Sequence, residues 1–150
     1  MPCIAGQYDP AIGLLINILI FSVDNKPKGG HLKNPPIYKA LIDTGASCTC
    51  ISPKVISDNK LVPHTKITMI SASGNQDVNA YMFHVSIPLL NVGSVPPSGQ
   101  VGGQIHTFND PLQGMELVNP TGRFDVLLGM DILKRCSFKV EFNGTFSLCW

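Results

Sequence analysis

The stretch Leu41-Ile42-Asp43-Thr44-Gly45-Ala46-Ser47 places a carboxylate at the end of an apolar run, directly before a loop of small residues. The apolar residues before Asp43 predict a β-strand over residues 37–42. The small residues after it predict a tight loop, because glycine permits sharp backbone turns. Such a stretch is a poor way to build a core, but it fixes one carboxylate at the floor of a cleft. The chain contains one copy of it.

Composition limits the class of protein. The chain has 150 residues, the length of one domain, and we predict a single domain over residues 1–150. Because 44% of the residues are hydrophobic and only 14% are charged, the composition argues against disorder. A net charge of +1 without a basic block gives no indication of nucleic acid or an anionic membrane as a partner. The most apolar run, residues 12–23, is shorter than the roughly 20 residues that span a bilayer, so it predicts a buried strand.

The cysteines favour a reducing compartment. Their odd number does not indicate a disulfide framework, which leads us to expect a cytoplasmic protein. Cys48 and Cys50 are separated by one residue, a spacing that does not suit a zinc site, even with His64 nearby. Strand alternation places both on one face, where they are expected to act as small buried hydrophobes. We therefore predict no metal site at these cysteines. The five cysteines are Cys3, Cys48, Cys50, Cys136 and Cys149.

Hydrophobic periodicity predicts further strands at residues 64–70 and 78–88, joined by a mobile hairpin tip over residues 71–76. Residues 24–36 read as a loop, and Pro53 can begin a helical turn that reaches Ser57. Residues 91–123 are rich in Gly and Pro and form a long segment of weak periodicity. One or two strands are expected within it, around residues 105–108 and 115–118, because a structureless loop of this length is unusual.

The end of the chain has the clearest local pattern. A strand over residues 124–129 ends in glycine, and residues 130–136 favour a helix with Asp131 near its start. Alternating apolar residues on both sides of Asn143-Gly144 then predict a two-residue hairpin. The predicted architecture is all-β with one short helix late in the chain.

Two motifs in this order, Asp-Thr-Gly-Ala-Ser at residues 43–47 and Leu-Leu-Gly-Met-Asp-Ile-Leu at residues 127–133, resemble the retropepsin-like (retroviral-type) aspartic proteases, and in particular their cellular and bacterial members. The resemblance runs from about residue 12 to the end, apart from residues 91–123, which are not typical of the family. It implies an acid-protease fold, in which the subunit is a closed β-barrel with a β-hairpin flap and one short α-helix in its C-terminal half.

The resemblance also implies roles for individual residues. Asp43 is expected to be the catalytic residue, Thr44 to hydrogen-bond across to a partner subunit, and Gly45 to present its backbone to the substrate. Gly129 and the helix behind it, which includes Asp131, are expected to pack beneath the active-site loop. The residues expected to contact substrate are Ala46 and Ser47 in the active-site loop and Ser71, Ala72, Ser73 and Gly74 in the flap.

The implied mechanism needs two carboxylates and neither a metal nor a cofactor, and this chain supplies one of the carboxylates. Two aspartates that lie close together do not both ionise easily, so one carboxylate acts as base while the other keeps its proton. A homodimer with the site on its two-fold axis, acting on a peptide or protein substrate, follows from this. Ser47 and Met130 stand where viral members carry an acidic residue and an arginine, and cellular and bacterial members also use uncharged residues there.

Two other functions are compatible with the sequence. The first is a catalytically silent retropepsin-like domain that binds a peptide or mediates dimerisation. The second is an unrelated β-barrel binding module, in which Asp43-Thr44-Gly45 is only a turn, because short motifs also occur by chance.

Overall fold

The computed structural model describes residues 2–28, 35–89 and 104–150, and β-strands dominate these residues. The strands are β1 Cys3–Asp9, β2 Gly13–Ser22, β3 Tyr38–Ile42, β4 Cys50–Ile51, β5 Thr65–Ser71, β6 Gly74–Leu89, β7 Gln104–Thr107, β8 Leu112–Glu116, β9 Val126–Leu128, β10 Ser137–Val140 and β11 Thr145–Cys149. The helices are α1 Pro53–Asp58 and α2 Met130–Leu133, and a 3-10 turn covers Val23–Asn25. The all-β prediction is confirmed, and the described residues contain two short α-helices where one was predicted.

Six strands form a closed ring. Strand β2 pairs with β3 through residues 15–18 and with β6 through residues 19–22. Following the pairings from β3 through β9, β4, β8 and β6 leads back to β2. This ring agrees with the closed β-barrel subunit that the family resemblance implies. It includes β8, so part of the atypical segment at residues 91–123 belongs to the sheet.

The core explains why β2 is so apolar. Ile18, Leu19 and Ile20 are all fully buried, so this part of the strand is covered on both faces, as predicted. Asn17, just before them, remains exposed. The same core contains Phe83 from β6. No helix in the described part of the chain is long and apolar enough to cross a membrane.

The N- and C-terminal strands lie side by side. Strand β1 pairs antiparallel with β11, in the register that sets Cys3 opposite Cys149, and a disulfide joins these two cysteines. Neither β1 nor the disulfide was predicted from the sequence. The remaining three cysteines, Cys48, Cys50 and Cys136, are free thiols.

The C-terminal hairpin has a three-residue loop, so the predicted two-residue hairpin is wrong in its register. Glu141 N–H donates to the Thr145 carbonyl at 2.8 Å, and Gly144 N–H donates to the Glu141 carbonyl at 3.0 Å. Phe142 and Asn143 therefore occupy the loop together with Gly144, which has a φ of +82°. Glycine accepts this left-handed conformation without steric cost, as three-residue hairpins require.

Other predicted boundaries shift by a few residues. The strands expected around residues 105–108 and 115–118 are found as β7 and β8, and the helical turn expected at Pro53 is α1. The helix expected over residues 130–136 is shorter, because α2 ends at Leu133. The middle of the predicted loop at residues 24–36 and the first part of the segment at residues 91–123 lie outside the described residues.

Candidate active site

Asp43 follows directly after β3, at the end of a parallel strand pair. Its N–H donates to the Leu128 carbonyl at 3.0 Å, which extends the pairing of β3 with β9 by one residue. Ile42 and Leu128 point into the core, whereas Leu41 and Leu127 are only half-buried on the opposite face. Since side chains alternate along a strand, Asp43 shares the face of Leu41. The carboxylate therefore sits on the more open side of the sheet.

The loop after Asp43 fixes the position of its carboxylate. Gly45 N–H donates to Asp43 Oδ1 at 2.8 Å, and Ala46 N–H donates to the Asp43 carbonyl at 3.3 Å. A Cβ atom on Gly45 would lie 3.1 Å from the same Oδ1, so a side chain there would crowd the carboxylate. In the described residues Asp43 Oδ2 has no hydrogen-bond partner, and Thr44 beside it is exposed.

The segment that starts at Gly129 passes directly beneath this loop. Met130 N–H donates to the Ala46 carbonyl at 2.8 Å. A Cβ atom on Gly129 would lie 2.6 Å from the Cys48 carbonyl carbon and 2.7 Å from its oxygen. Because both atoms belong to the backbone, they cannot move aside as a flexible side chain could. Only glycine fits where the two segments cross, which is the position predicted for Gly129.

Asp131 ties the two segments together through a residue that the sequence did not indicate. Its Oδ2 accepts the Thr49 N–H at 2.8 Å, and its Oδ1 accepts the Thr49 hydroxyl at 2.7 Å. Thr49 Oγ1 in turn accepts the Gly129 N–H at 3.2 Å. Thr49 is fully buried, so these bonds satisfy polar groups that water does not reach. The sequence signal that could have indicated Thr49 is its hydroxyl, which stands within the run Cys48-Thr49-Cys50-Ile51.

Ser47 and Met130 do not form the ion pair found in viral members. Ser47 is exposed, and its hydroxyl lies 4.0 Å from Cys48 Sγ. The connection between the loop and α2 at this point is made by the Met130 backbone and by the Asp131 carboxylate. Asp131 also accepts the Ile132 N–H at 2.9 Å, which satisfies a backbone donor at the start of α2.

The two cysteines after the loop differ in environment. Cys50 is buried in the core, whereas Cys48 is half-buried beside Ser47. The pKa of Cys50 is raised to about 11, mainly by burial and to a lesser extent by the nearby Cys48, Asp131 and Asp43. The expectation of a buried small hydrophobe is confirmed for Cys50. Within the described residues, no group of three or more His, Cys, Asp and Glu side chains is arranged to hold a metal.

The predicted flap is the hairpin of β5 and β6. Its pairing continues to the end, where Ser71 is opposite Gly74, so the turn consists of Ala72 and Ser73 alone. This turn is tighter than the tip predicted over residues 71–76, since Gly74 and the two residues after it belong to β6. Ser71 Oγ lies 2.9 Å from Ser73 Oγ and donates to the Gly74 carbonyl at 3.1 Å. Ile67 and Met69 occupy one face of the hairpin and are half-buried.

A cavity of about 360 Å³ lies between the flap and the segment after β8. Gln76 and Val78 line it from the flap, and Val118 and Pro120 line it from the opposite side. Asp43 is not among its lining residues, so this cavity is separate from the carboxylate.

Sequence comparison agrees with this geometry. A family described as "Aspartyl protease" matches residues 32–132, more than half of the chain. The chain belongs to the aspartyl protease family. The matched region contains the Asp43 loop, the flap hairpin and Gly129, and so covers the site assembled above.

Comparison with solved structures shows the fold. The crystal structure of a retropepsin-like aspartic protease from Rickettsia conorii aligns with a TM-score of 0.60, over 99% of this chain and 91% of that chain. The two sequences are 18% identical, so the likeness concerns the fold of this aspartyl protease family member and not its specificity. A search of curated proteins gave no significant match.

Proposed function

We propose that this chain is one subunit of a homodimeric aspartic endopeptidase. The observation that carries the proposal is the geometry of Asp43, whose Oδ1 is held by the Gly45 N–H while the side chain stays on the open face of the sheet. The family match supports a peptidase, and one such aspartate per chain supports a site shared by two chains. Localisation to the cytoplasm stays a prediction, and the Cys3–Cys149 disulfide is more typical of oxidising compartments.

In the proposed mechanism, Asp43 and Asp43 of the partner subunit share one proton. Two carboxylates at close range favour this state, because ionising both would place like charges together. The ionised carboxylate takes a proton from a bound water, whose oxygen attacks the carbonyl carbon of the scissile peptide bond. The protonated carboxyl donates to the carbonyl oxygen. Transfer of a proton to the amide nitrogen then breaks the C–N bond, releasing an acid and an amine.

The surrounding loop has supporting roles in this proposal. Thr44 is exposed next to Asp43, in a position to hydrogen-bond to the partner subunit, and Gly45 exposes its backbone. Ala46 and Ser47 line the same floor. The flap tip, Ser71 to Gly74, is proposed to cover a bound peptide, for which an antiparallel hairpin offers backbone donors and acceptors.

The test is cleavage of a peptide library by wild type and by Asp43→Asn, over a series from acid to neutral pH. Asparagine keeps an oxygen for the Gly45 N–H but removes the titratable group. We expect cleavage to fall by roughly a thousandfold or more, because the base and acid are both lost. Asp110→Asn, which makes the same change at an exposed acid outside the Asp43 loop, is the matched control and should cleave normally. Cleavage that persists in Asp43→Asn would refute the proposal.

Mixing tests whether the site is shared. Adding excess Asp43→Asn protein to wild type should suppress cleavage, since most wild-type subunits would then sit in dimers with one carboxylate. If cleavage depends only on the wild-type concentration, each chain works alone. A protein that binds peptides but cleaves none at any pH is instead a silent binding module.

A further inference from the structure

The cavity beside the flap opens where two neighbouring strands separate. Strand β6 pairs with β8 as far as Ala80, which is opposite Met115. Leu117 N–H then donates to the Ile51 carbonyl at 2.8 Å, so the chain after β8 follows β4 instead of β6. Strand β6 continues into the flap, where its partner is β5. The space between the diverging segments is the cavity of about 360 Å³ described above.

The charged side chains that line this cavity share one face of the sheet. Lys66 is opposite Asn79 in the flap hairpin, and Asn79 Nδ2 donates to Glu116 Oε2 at 3.2 Å. Asp77 lies two residues before Asn79, so the alternation of side chains along β6 places it on the same face. The cavity is therefore lined by two carboxylates and one ammonium group, from Asp77, Glu116 and Lys66.

This face is turned away from Asp43. Glu116 is opposite Ile51, and Ile51 is opposite Val126, so the three side chains point to the same side of the sheet. Ile51 and Val126 are both fully buried in the core. Asp43 lies on the other side, together with Leu41. The carboxylates of the cavity are thus separate from the site proposed for cleavage.

Within the described ranges, neither carboxylate of the cavity is paired with a cation. Asp77 Oδ1 accepts the Thr68 hydroxyl at 2.8 Å, and Glu116 Oε2 accepts the Asn79 amide. No ion pair among these residues includes Asp77, Glu116 or Lys66. Glu116 is half-buried, and a carboxylate that is partly removed from water is stabilised by a nearby positive charge. The other oxygen of each carboxylate is available to an incoming donor.

The remaining walls of the cavity suit an alkyl chain. Val78, Val118 and Pro120 line it with apolar groups. Its volume is near the lower end of the range of about 300–1,000 Å³ for small-molecule sites, so it has room for one long side chain or a molecule of that size. A guanidinium group on an alkyl stem matches both features, because the stem packs on apolar surface while the planar head donates to two carboxylates.

We propose that this cavity binds a guanidinium group, with Asp77 and Glu116 as its acceptors. Asp77 belongs to the flap, whereas Glu116 ends β8 in the barrel, so a bound guanidinium connects the flap to the barrel and slows flap opening. The effect on the flap rests on the proposed function, but binding itself does not. A peptide arginine and a free guanidine compound both supply this chemistry, and the experiment separates the two sources.

The first measurement compares two compounds that differ in charge. Acetyl-arginine amide and acetyl-citrulline amide have nearly the same shape, but citrulline is neutral. In ¹H–¹⁵N titrations of wild type, the arginine compound should shift the amides of residues 76–79 and 116–118. It should bind roughly tenfold more tightly than the citrulline compound, because its hydrogen bonds to carboxylates are charge-assisted. Equal affinities, or shifts confined to the Asp43 loop, would overturn the proposal.

Variants then assign the acceptors. Glu116→Gln and Asp77→Asn keep an oxygen for the hydrogen bond that each side chain already accepts, and each should weaken binding of the arginine compound about tenfold. Lys66→Gln removes a like charge and should tighten binding about threefold, a gain that a damaged fold does not produce. Asp110→Asn is the matched control and should bind as wild type does. Unchanged affinity in both carboxylate variants, or weaker binding in Lys66→Gln, would contradict the assignment.

Two further probes identify the source of the guanidinium group. One is agmatine, a free guanidine compound, and the other is a blocked pentapeptide with one arginine between glycines. Tighter binding of the pentapeptide than of acetyl-arginine amide supports a peptide ligand, because the neighbouring backbone then adds contacts. Tighter binding of agmatine supports a free small molecule. If none of the three guanidinium probes binds, the proposal is wrong.

Cleavage assays separate this inference from the proposed function. Saturating agmatine should slow peptide cleavage by wild type roughly twofold to fivefold, because product release needs the flap to open, and should leave Glu116→Gln unaffected. Binding without any effect on cleavage would overturn the connection between flap and barrel. Binding by a protein that cleaves no peptide supports the cavity site and refutes the endopeptidase. Cleavage by a protein that binds no guanidinium probe does the reverse.

Discussion

Asp131 receives both the backbone N–H and the side-chain hydroxyl of Thr49, at 2.8 and 2.7 Å, across a separation of 82 residues. Thr49 is fully buried, and its hydroxyl oxygen accepts the Gly129 N–H. The loop that carries Asp43 is therefore anchored to α2 by one carboxylate. Ser47 and Met130 add no side-chain connection between the two segments in the described residues.

Removing that carboxylate should destabilise the chain. Asp131→Ala leaves the Thr49 N–H and hydroxyl buried without their acceptor, so we expect the free energy of unfolding to fall by about 2–4 kcal/mol. Asp131→Asn retains one oxygen acceptor and should lose less. Thr49→Ser keeps the hydroxyl and serves as the matched control. Urea denaturation measures all three, and an Asp131→Ala protein as stable as wild type would contradict the structure.

A methyl group at Gly129 should be poorly tolerated. In Gly129→Ala the new Cβ would meet the Cys48 backbone at 2.6 Å, which forces the Asp43 loop and α2 apart. Overpacking against fixed atoms typically costs about 1–3 kcal/mol of stability, so we expect a loss in this range. Gly45→Ala is the comparison, because its Cβ would approach only the Asp43 side chain, in an exposed loop. Equal melting temperatures for the two variants would show that the Cys48 backbone lies farther from Gly129 than in this structure.

Local sequence signals identified the candidate site but not what holds it together. Both the apolar run before Asp43 and the glycine before α2 can be recognised from a few neighbouring residues of the sequence. The bond from Thr49 to Asp131 depends on how two distant segments cross, which periodicity does not encode. The same holds for Cys3 and Cys149, 146 residues apart, whose pairing follows from the register of β1 and β11. The prediction of a two-residue loop at Asn143-Gly144 was wrong for a different reason, because this dipeptide suits both two- and three-residue loops.

The free thiols near the site should react at different rates. The pKa of Cys50 is raised to about 11, so at a pH three units lower only about one molecule in a thousand carries the reactive thiolate, and burial restricts access further. Cys48 is half-buried and should be alkylated first. Iodoacetamide treatment followed by peptide mass mapping gives the order. Faster labelling of Cys50 in the folded protein would mean that β4 opens readily. The control is Cys48→Ser, which lacks the Cys48 signal and so shows which labelled peptide belongs to which cysteine.

The disulfide should stabilise the subunit. It links strands at opposite ends of the chain, so it restricts the unfolded state strongly, and replacing both cysteines should cost about 2–4 kcal/mol. The measurement is urea unfolding of wild type and of Cys3→Ser with Cys149→Ser, each with and without a reductant. Reductant should lower the stability of wild type to that of the double variant and leave the variant unchanged. Insensitivity of wild type to reductant would show that the bond does not contribute.

Protonation of His106 should destabilise the fold at mildly acidic pH. Its ring packs against Phe108 and Trp150, with centroids 5.0 and 5.1 Å away, and burial lowers its pKa from the usual 6.5. Because the unfolded chain then binds the proton more readily, stability falls as the pH drops below about 6.5 and levels off below the folded-state pKa. His106→Phe keeps the ring packing without the titratable nitrogen. The difference in unfolding free energy between the two proteins should therefore change over this pH range, and parallel curves would show that His106 does not contribute to the pH dependence.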